Sequence, residues 1–149
     1  MPAKRVDIVS IKLIKENSIM YAERRVSDPS SAVDLVRDFI ASSDREKLIA
    51  VYLNTKNEPV SIQTISIGTL DASLVHPREV FKGAILSNAA SIILAHNHPS
   101  GNPEPSRDDI EVTKRIVEAS KIIGISMMDH LIVCDSQYVS FKERGLLDK

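Results

Sequence analysis

An apolar run that ends on two histidines limits the fold more than any other stretch of this 149-residue chain. The run IILA occupies residues 92–95 and leads directly into His96 and His98. Successive side chains of an extended strand point to opposite faces, so the two imidazoles share one face. A proline-rich loop follows, and Ser106 then opens a helical pattern. The stretch therefore predicts a buried strand, a rigid loop and a helix with Asp109 in its first turn.

The same stretch predicts a metal site. Two histidines and one carboxylate, here His96, His98 and Asp109, are a ligand set of catalytic zinc that leaves a fourth tetrahedral position for water. Zinc lowers the pKa of such a water toward about 7, which makes it a nucleophile at neutral pH. Ser106 has a hydroxyl that could donate to a developing oxyanion. Glu46 precedes another apolar strand and is a suitable base if the two strands are neighbours.

Each of these residues also has a purely structural interpretation. Ser106 and Asp109 match a capping box, although capping and metal binding can coexist. His96 and His98 could be polar residues that end a strand, and Glu46 could be a surface residue. Two aligned imidazoles, a rigid loop and a positioned carboxylate within one short interval favour the metal site.

The composition indicates one globular domain. The chain is 43% hydrophobic and 26% charged, which is ordinary, and it is long enough to bury a core. A net charge of −1 and an aromatic content of 4% argue against a dedicated nucleic-acid binder. The single cysteine, Cys134, excludes an intramolecular disulfide framework, and no apolar run approaches the roughly 18 residues of a membrane span. We therefore expect a reducing cytoplasm and no membrane partner.

Residue periodicity predicts a layered α/β or α+β domain in which strands and helices alternate. Strands are expected at about residues 6–14, 47–53, 59–67, 91–95, 125–134 and 138–141, and helices at about 29–41, 77–88 and 107–123. The Asp129-His130 pair interrupts the fifth strand, either as a pair that orients a metal ligand or as a buried hydrogen-bonded pair. We place an N-terminal strand region at residues 1–26 and the main domain at residues 27–149.

The spacing H-x-H-x7-S-x2-D from His96 to Asp109 resembles the JAMM motif of the MPN+ metalloprotease domains. Over about residues 27–146 the sequence resembles the RadC branch of that family. The resemblance is carried by the segment VHPREVFKGAILSNAASIILAHNHPSGNPEPSRDD and by the later segments MMDHLIV and YVSFKERG. The resemblance implies a three-layer α-β-α, cytidine-deaminase-like sandwich with a mixed central sheet. It also implies zinc held by His96, His98 and Asp109, with Ser106 assisting at the oxyanion and Glu46 acting as general acid and base.

The activity that the resemblance implies is that of a zinc-dependent metallopeptidase or isopeptidase acting on a peptide or isopeptide substrate. Longer RadC proteins carry a helix-hairpin-helix region, and we expect none within this chain. The family label of DNA repair has no counterpart in the chemistry of the motif. Exposed strand edges in small domains of this type would also support a homodimer.

Two alternatives stay open, and two are excluded. The chain could be a non-catalytic interaction module stabilised by its metal, or a hydrolase directed at DNA. An HNH nuclease is excluded because its motif is spread over a ββα unit, whereas His96, Asn97 and His98 are consecutive. A zinc deaminase is excluded because its P-C-x-x-C ligands need more than one cysteine.

Overall fold

The computed structural model of this chain describes residues 1–41 and 43–147 and contains three helices and five strands in that part. The helices are α1 (Pro29–Ile40), α2 (Pro77–Leu86) and α3 (Arg107–Ile123). The strands are β1 (Lys47–Leu53), β2 (Pro59–Ile67), β3 (Ser91–Asn97), β4 (Ser126–Val133) and β5 (Tyr138–Ser140). The predicted α+β class is confirmed.

The five strands form one mixed sheet in the order β2-β1-β3-β4-β5. Strands β3 and β4 are parallel and are joined by α3, as a parallel crossover requires, and the other pairs are antiparallel. Strand β3 lies at the centre, and all seven of its residues are buried. This position explains why the sequence before His96 is continuously apolar rather than alternating.

The helices cover both faces of the sheet, which confirms the predicted three-layer sandwich. Alternate residues of β1 divide between two hydrophobic clusters, as a strand covered on both faces demands. Ile49 and Val51 pack on the α1 side, whereas Leu48 and Ala50 pack on the side of α2 and α3.

The helix ends follow their local sequence signals. Helix α1 begins after Asp28, whose carboxylate accepts from the Ser31 amide, and α3 begins after Ser106. Helix α3 ends at Gly124, whose φ of 82° is a left-handed conformation that glycine adopts at little cost. In the described part of the chain, no helix has the length and apolar character that a membrane crossing requires.

Two sequence-based predictions differ from the structure. The strand predicted over residues 6–14 is not formed, because a strand needs a partner and none of the described strands pairs with this segment. Strand β4 is not interrupted at Asp129 and His130, both of which are buried within it. The β3–β4 register instead shifts between Ile92 and Ile93, where Met128 is the extra residue.

Candidate metal centre

The carboxyl end of β3 brings the two predicted histidines together. His96 is buried between β1 and β4, where Leu48 and Ile132 are its register partners. His98 follows the strand directly and is more accessible. Their Nε2 atoms are 3.0 Å apart. Both therefore present the same ring nitrogen to one point beyond the carboxyl end of β3.

The first turn of α3 carries the carboxylate to that point. The Asp109 side chain is 1% exposed, with Oδ1 at 3.0 Å from His96 Nε2 and Oδ2 at 3.1 Å from His98 Nε2. Asp109 Oδ2 also accepts from the Ser106 amide, and Ser106 Oγ accepts from the Asp109 amide. The capping box and the approach to both histidines therefore coexist, because the cap holds the carboxylate where the imidazoles meet.

The spacing of these three side chains fits zinc. In a tetrahedral site with metal–ligand bonds of about 2.0–2.2 Å, the ligand atoms lie roughly 3.3–3.6 Å apart. The two Nε2 atoms are 3.0 Å apart, and they lie 3.0 Å and 3.1 Å from different oxygens of Asp109, which is close to that value.

Glu46 approaches the same point from the start of β1. Its Oε1 lies 3.9 Å from His98 Nε2, and its Oε2 accepts from the Leu70 amide at 3.1 Å. Glu46 also forms a metal-compatible group with His96 and His98, in which all the ligand atoms lie within 4.8 Å. We favour Asp109 as the third ligand because it contacts both histidines more closely and is more deeply buried.

Charge within the site supports an anionic Asp109. Burial, the largest influence, raises the pKa of this carboxyl, but hydrogen bonds with His96 and His98 outweigh it and hold the pKa well below its usual range. The same hydrogen bond to Asp109 raises the pKa of His98, although burial acts against it. The site therefore contains a buried anion whose partners must together supply positive charge.

A hydrogen-bond chain behind the site orients His96. His96 Nδ1 lies 2.8 Å from His130 Nε2, and His130 Nδ1 contacts Thr113 Oγ1. Burial, followed by the neighbouring His96, lowers the pKa of His130 well below its ordinary value, so His130 is neutral. Thr113 Oγ1 donates its single proton to the Asp109 carbonyl oxygen at 2.9 Å. With that proton on the carbonyl, Thr113 accepts from His130 Nδ1–H.

This chain of donors and acceptors determines which nitrogen of each ring is protonated. His130 accepts at Nε2, so His96 donates from Nδ1 and turns Nε2 toward Asp109. His98 donates from Nδ1 to the Asn102 carbonyl oxygen at 2.8 Å and likewise turns Nε2 toward Asp109. In both rings Nε2 is therefore the nitrogen that would bind a metal, in place of its hydrogen bond to Asp109.

The two residues of the Asp129-His130 pair have different roles. Asp129 accepts from Ser140 Oγ at 2.6 Å and from the Lys142 and His130 amides, so it fastens β5 and the following turn to β4. His130 is the residue that contacts a candidate ligand. Sequence reasoning left this pair undecided and missed Thr113, although Thr113 lies four residues after Asp109 and therefore on the same face of α3.

An open cleft of about 370 Å³ gives access to the site. Its lining includes Glu46, His98, Ser106 and Asp109. Ser106 Oγ accepts from the Asp109 amide, which leaves its own proton free to donate into the cleft. All five residues singled out from the sequence thus lie within one cluster or on its wall.

Comparison with known proteins gives consistent matches. A sequence profile described as the RadC-like JAB domain matches residues 26–146. A UPF0758 protein from Desulforamulus reducens is 48% identical over 149 residues, which cover 98% of this chain and 66% of that protein. A UPF0758 protein from Rubrobacter xylanophilus is 57% identical over 122 residues, which cover 82% of this chain and 53% of that protein. The chain thus spans about half to two thirds of the length of these relatives.

Proposed function

Because this chain belongs to the RadC-like JAB domain family, we propose that it is a zinc-dependent hydrolase of the JAMM type that cleaves peptide or isopeptide bonds. One observation carries the proposal: the Nε2 atoms of His96 and His98 lie 3.0 Å apart, and each lies 3.0–3.1 Å from one oxygen of the Asp109 carboxylate. Two imidazoles and a buried carboxylate are a donor set that suits zinc.

In this proposal, His96 and His98 bind zinc through Nε2 and Asp109 binds through its carboxylate. Zinc bound there would supply Lewis acidity and lower the pKa of a water molecule toward about 7. His130 holds the ring of His96, and the Asn102 carbonyl holds the ring of His98. The protein thus fixes the ligands before the metal arrives.

Glu46 carries the proton in the proposed reaction. The Leu70 amide holds Oε2, so Oε1 is the oxygen directed toward His98 and the cleft. Oε1 accepts a proton as water adds to the carbonyl carbon of the substrate. When the C–N bond breaks, Glu46 returns the proton to the leaving amine. The Ser106 hydroxyl donates to the carbonyl oxygen as negative charge develops on it.

The substitution Glu46→Gln tests the proposal directly. We expect zinc content and thermal stability close to those of the wild type, with hydrolysis of a peptide and isopeptide library reduced at least about 100-fold, as expected for loss of a general base. Glu111→Gln is the matched control, because Glu111 is an exposed carboxylate on α3 outside the cleft. Library cleavage should also disappear with chelator and return with added zinc.

A different result would favour the second candidate, a metal-stabilised interaction module. If the wild type binds zinc but Glu46→Gln leaves every measured activity unchanged, the hydrolase proposal is wrong. Plasmid nicking that depends on metal and on Asp109 would instead favour hydrolysis of DNA. We propose the reducing cytoplasm as its location, as expected for a chain whose single cysteine forms no intramolecular disulfide.

A further inference from the structure

The N-terminal segment, residues 6–14, is the most apolar exposed surface of the described chain. Its six large aliphatic side chains are 51–101% exposed: Val6, Ile8, Val9, Ile11, Leu13 and Ile14. Isolated exposed aliphatic residues are ordinary, but six within nine residues form a contiguous patch of the kind that marks an interface. The segment VDIVSIKLI is rich in the β-branched residues that favour strands.

The residues after this segment attach it to one end of the sheet. The Val26 amide donates to the Asn57 carbonyl oxygen at 2.9 Å, and Arg24 pairs with Glu58. Both partners belong to the turn between β1 and β2. That turn lies at the end opposite the metal centre, because β1 pairs Leu48 with His96 but Leu53 with Ser91. The segment therefore leaves the domain far from the cleft.

Strand β2 is an edge strand of the described sheet. It pairs with β1 on one side, and its other side has no partner strand in the described part of the chain. Edge strands are usually protected by charged side chains, yet β2 reads PVSIQTISI without a single charge. Val60 and Ile67 on this strand are 50% and 56% exposed. The other edge, β5, is only three residues long.

The segment and the β2 edge match in length and in character. Residues 6–14 and Pro59–Ile67 both span nine residues. In an extended segment, Val9, Ile11 and Leu13 would point to one face and Val6, Ile8 and Ile14 to the other. Two apolar faces suit a strand added beside β2, because Ile62 of β2 packs on one hydrophobic cluster and Ile65 packs on the other.

We propose that residues 6–14 pair with the β2 edge of a second copy of this chain and that the two copies exchange segments in a twofold-symmetric dimer. Each copy supplies one segment and one uncovered edge, so reciprocal exchange satisfies both and closes the assembly. At roughly 100 Å² of apolar surface per buried aliphatic side chain, two segments bury about 1,200 Å². That area, before the β2 edges are counted, reaches the roughly 1,000 Å² of a specific interface.

The oligomeric state of Ile11→Asp tests the proposal. We expect the full chain to sediment as a dimer and the variant, with a charge in the middle of the pairing strand, to dissociate with a constant raised at least about 100-fold. Ile122→Asp is the matched control, because Ile122 is at least as exposed as Ile11 but lies at the end of α3. It should remain a dimer. A monomeric wild type, or a dimer that Ile11→Asp leaves intact, overturns the proposal.

Cross-linking identifies the edge that receives the segment. Ser10→Cys protein is mixed with Thr64→Cys protein and treated with a short bismaleimide; the wild type, whose Cys134 is buried, is the background control. A covalent heterodimer is expected. A variant that carries both Ser10→Cys and Thr64→Cys tests the alternative. If its two cysteines cross-link within one chain and no heterodimer forms in the mixture, the segment folds onto its own β2. Stronger cross-linking of Ser10→Cys to itself would show that two segments pair with each other, and either result contradicts the proposed exchange.

Discussion

At the scale of single residues, the candidate site depends on where protons lie. Two imidazoles can direct Nε2 to one point only if each is protonated on Nδ1. The Asn102 carbonyl oxygen imposes this on His98, and the neutral His130 imposes it on His96. The tautomer of His130 in turn depends on Thr113, whose hydroxyl oxygen accepts the last hydrogen bond of this series. A threonine that touches no substrate thus controls a candidate metal ligand.

Thr113→Val is expected to weaken zinc binding about 10- to 100-fold. Valine has nearly the same shape but cannot accept from His130 Nδ1–H, so His130 is driven to the tautomer that donates from Nε2. His96 must then accept at Nδ1 and carry its own proton on Nε2, where the metal would bind. The measurement is competitive zinc titration against a chromophoric chelator.

Thr113→Ser is the matched control, because serine keeps the hydroxyl. Its zinc affinity should stay within about threefold of the wild type, since each hydrogen bond of the chain is retained. Equal zinc affinities for the valine and serine variants would show that the hydrogen bonds from Thr113 through His130 do not determine the tautomer of His96.

At the scale of secondary structure, the start of α3 combines two functions. Its capping box satisfies amide groups that every helix leaves free, and the same carboxylate faces both histidines. A helix start is also the end of the dipole that favours anions, which suits the ionised Asp109. Metal geometry and helix stability are therefore coupled at this element.

Ser106→Ala is expected to lower the free energy of unfolding by about 1 kcal/mol, because the Asp109 amide loses its cap. Urea denaturation in the presence of chelator measures this effect without a contribution from bound metal. Ser106→Thr keeps the hydroxyl and should change the stability by less than about half as much. If Ser106→Ala were as stable as the wild type, the cap would not stabilise α3.

At the scale of the whole molecule, the sheet separates two functional ends. The carboxyl end of β3 carries the candidate metal centre, whereas the β1–β2 turn holds the N-terminal segment at the other end. The proposed metal ligands converge from the carboxyl end of β3 and from the first turn of α3, which pack together through the central layer.

Zinc is expected to raise the melting temperature of the whole domain. Ligand at about 1,000 times its dissociation constant adds about 4 kcal/mol, which corresponds to roughly 10 °C for a domain of this size. The shift should fall as the pH drops through the pKa of His98, which Asp109 raises above the ordinary histidine value of 6.5, because zinc needs unprotonated imidazoles. Scanning calorimetry with zinc and with chelator measures it.

His98→Ala is the control for this shift, since it removes one of the three proposed ligands. Magnesium at the same concentration should have little effect, because it prefers oxygen ligands in octahedral geometry. An unchanged zinc shift in His98→Ala would show that the metal binds elsewhere.

The sequence alone determined those features that depend on neighbouring residues. The apolar run of β3, the capping box at Ser106 and the terminating Gly124 are local patterns, and each forms the predicted element. The proximity of the two histidines is local as well, because they are two residues apart. The layered class followed from the alternation of strands and helices, and the three-layer form from the family resemblance.

Only the tertiary structure decided what depends on contacts between distant parts of the chain. Glu46 comes within 3.9 Å of His98 because β1 pairs antiparallel with β3. His130 contacts His96 because β4 is the parallel neighbour of β3. The segment at residues 6–14 has the composition of a strand yet forms none within one chain, because pairing is a property of two strands and not of one sequence.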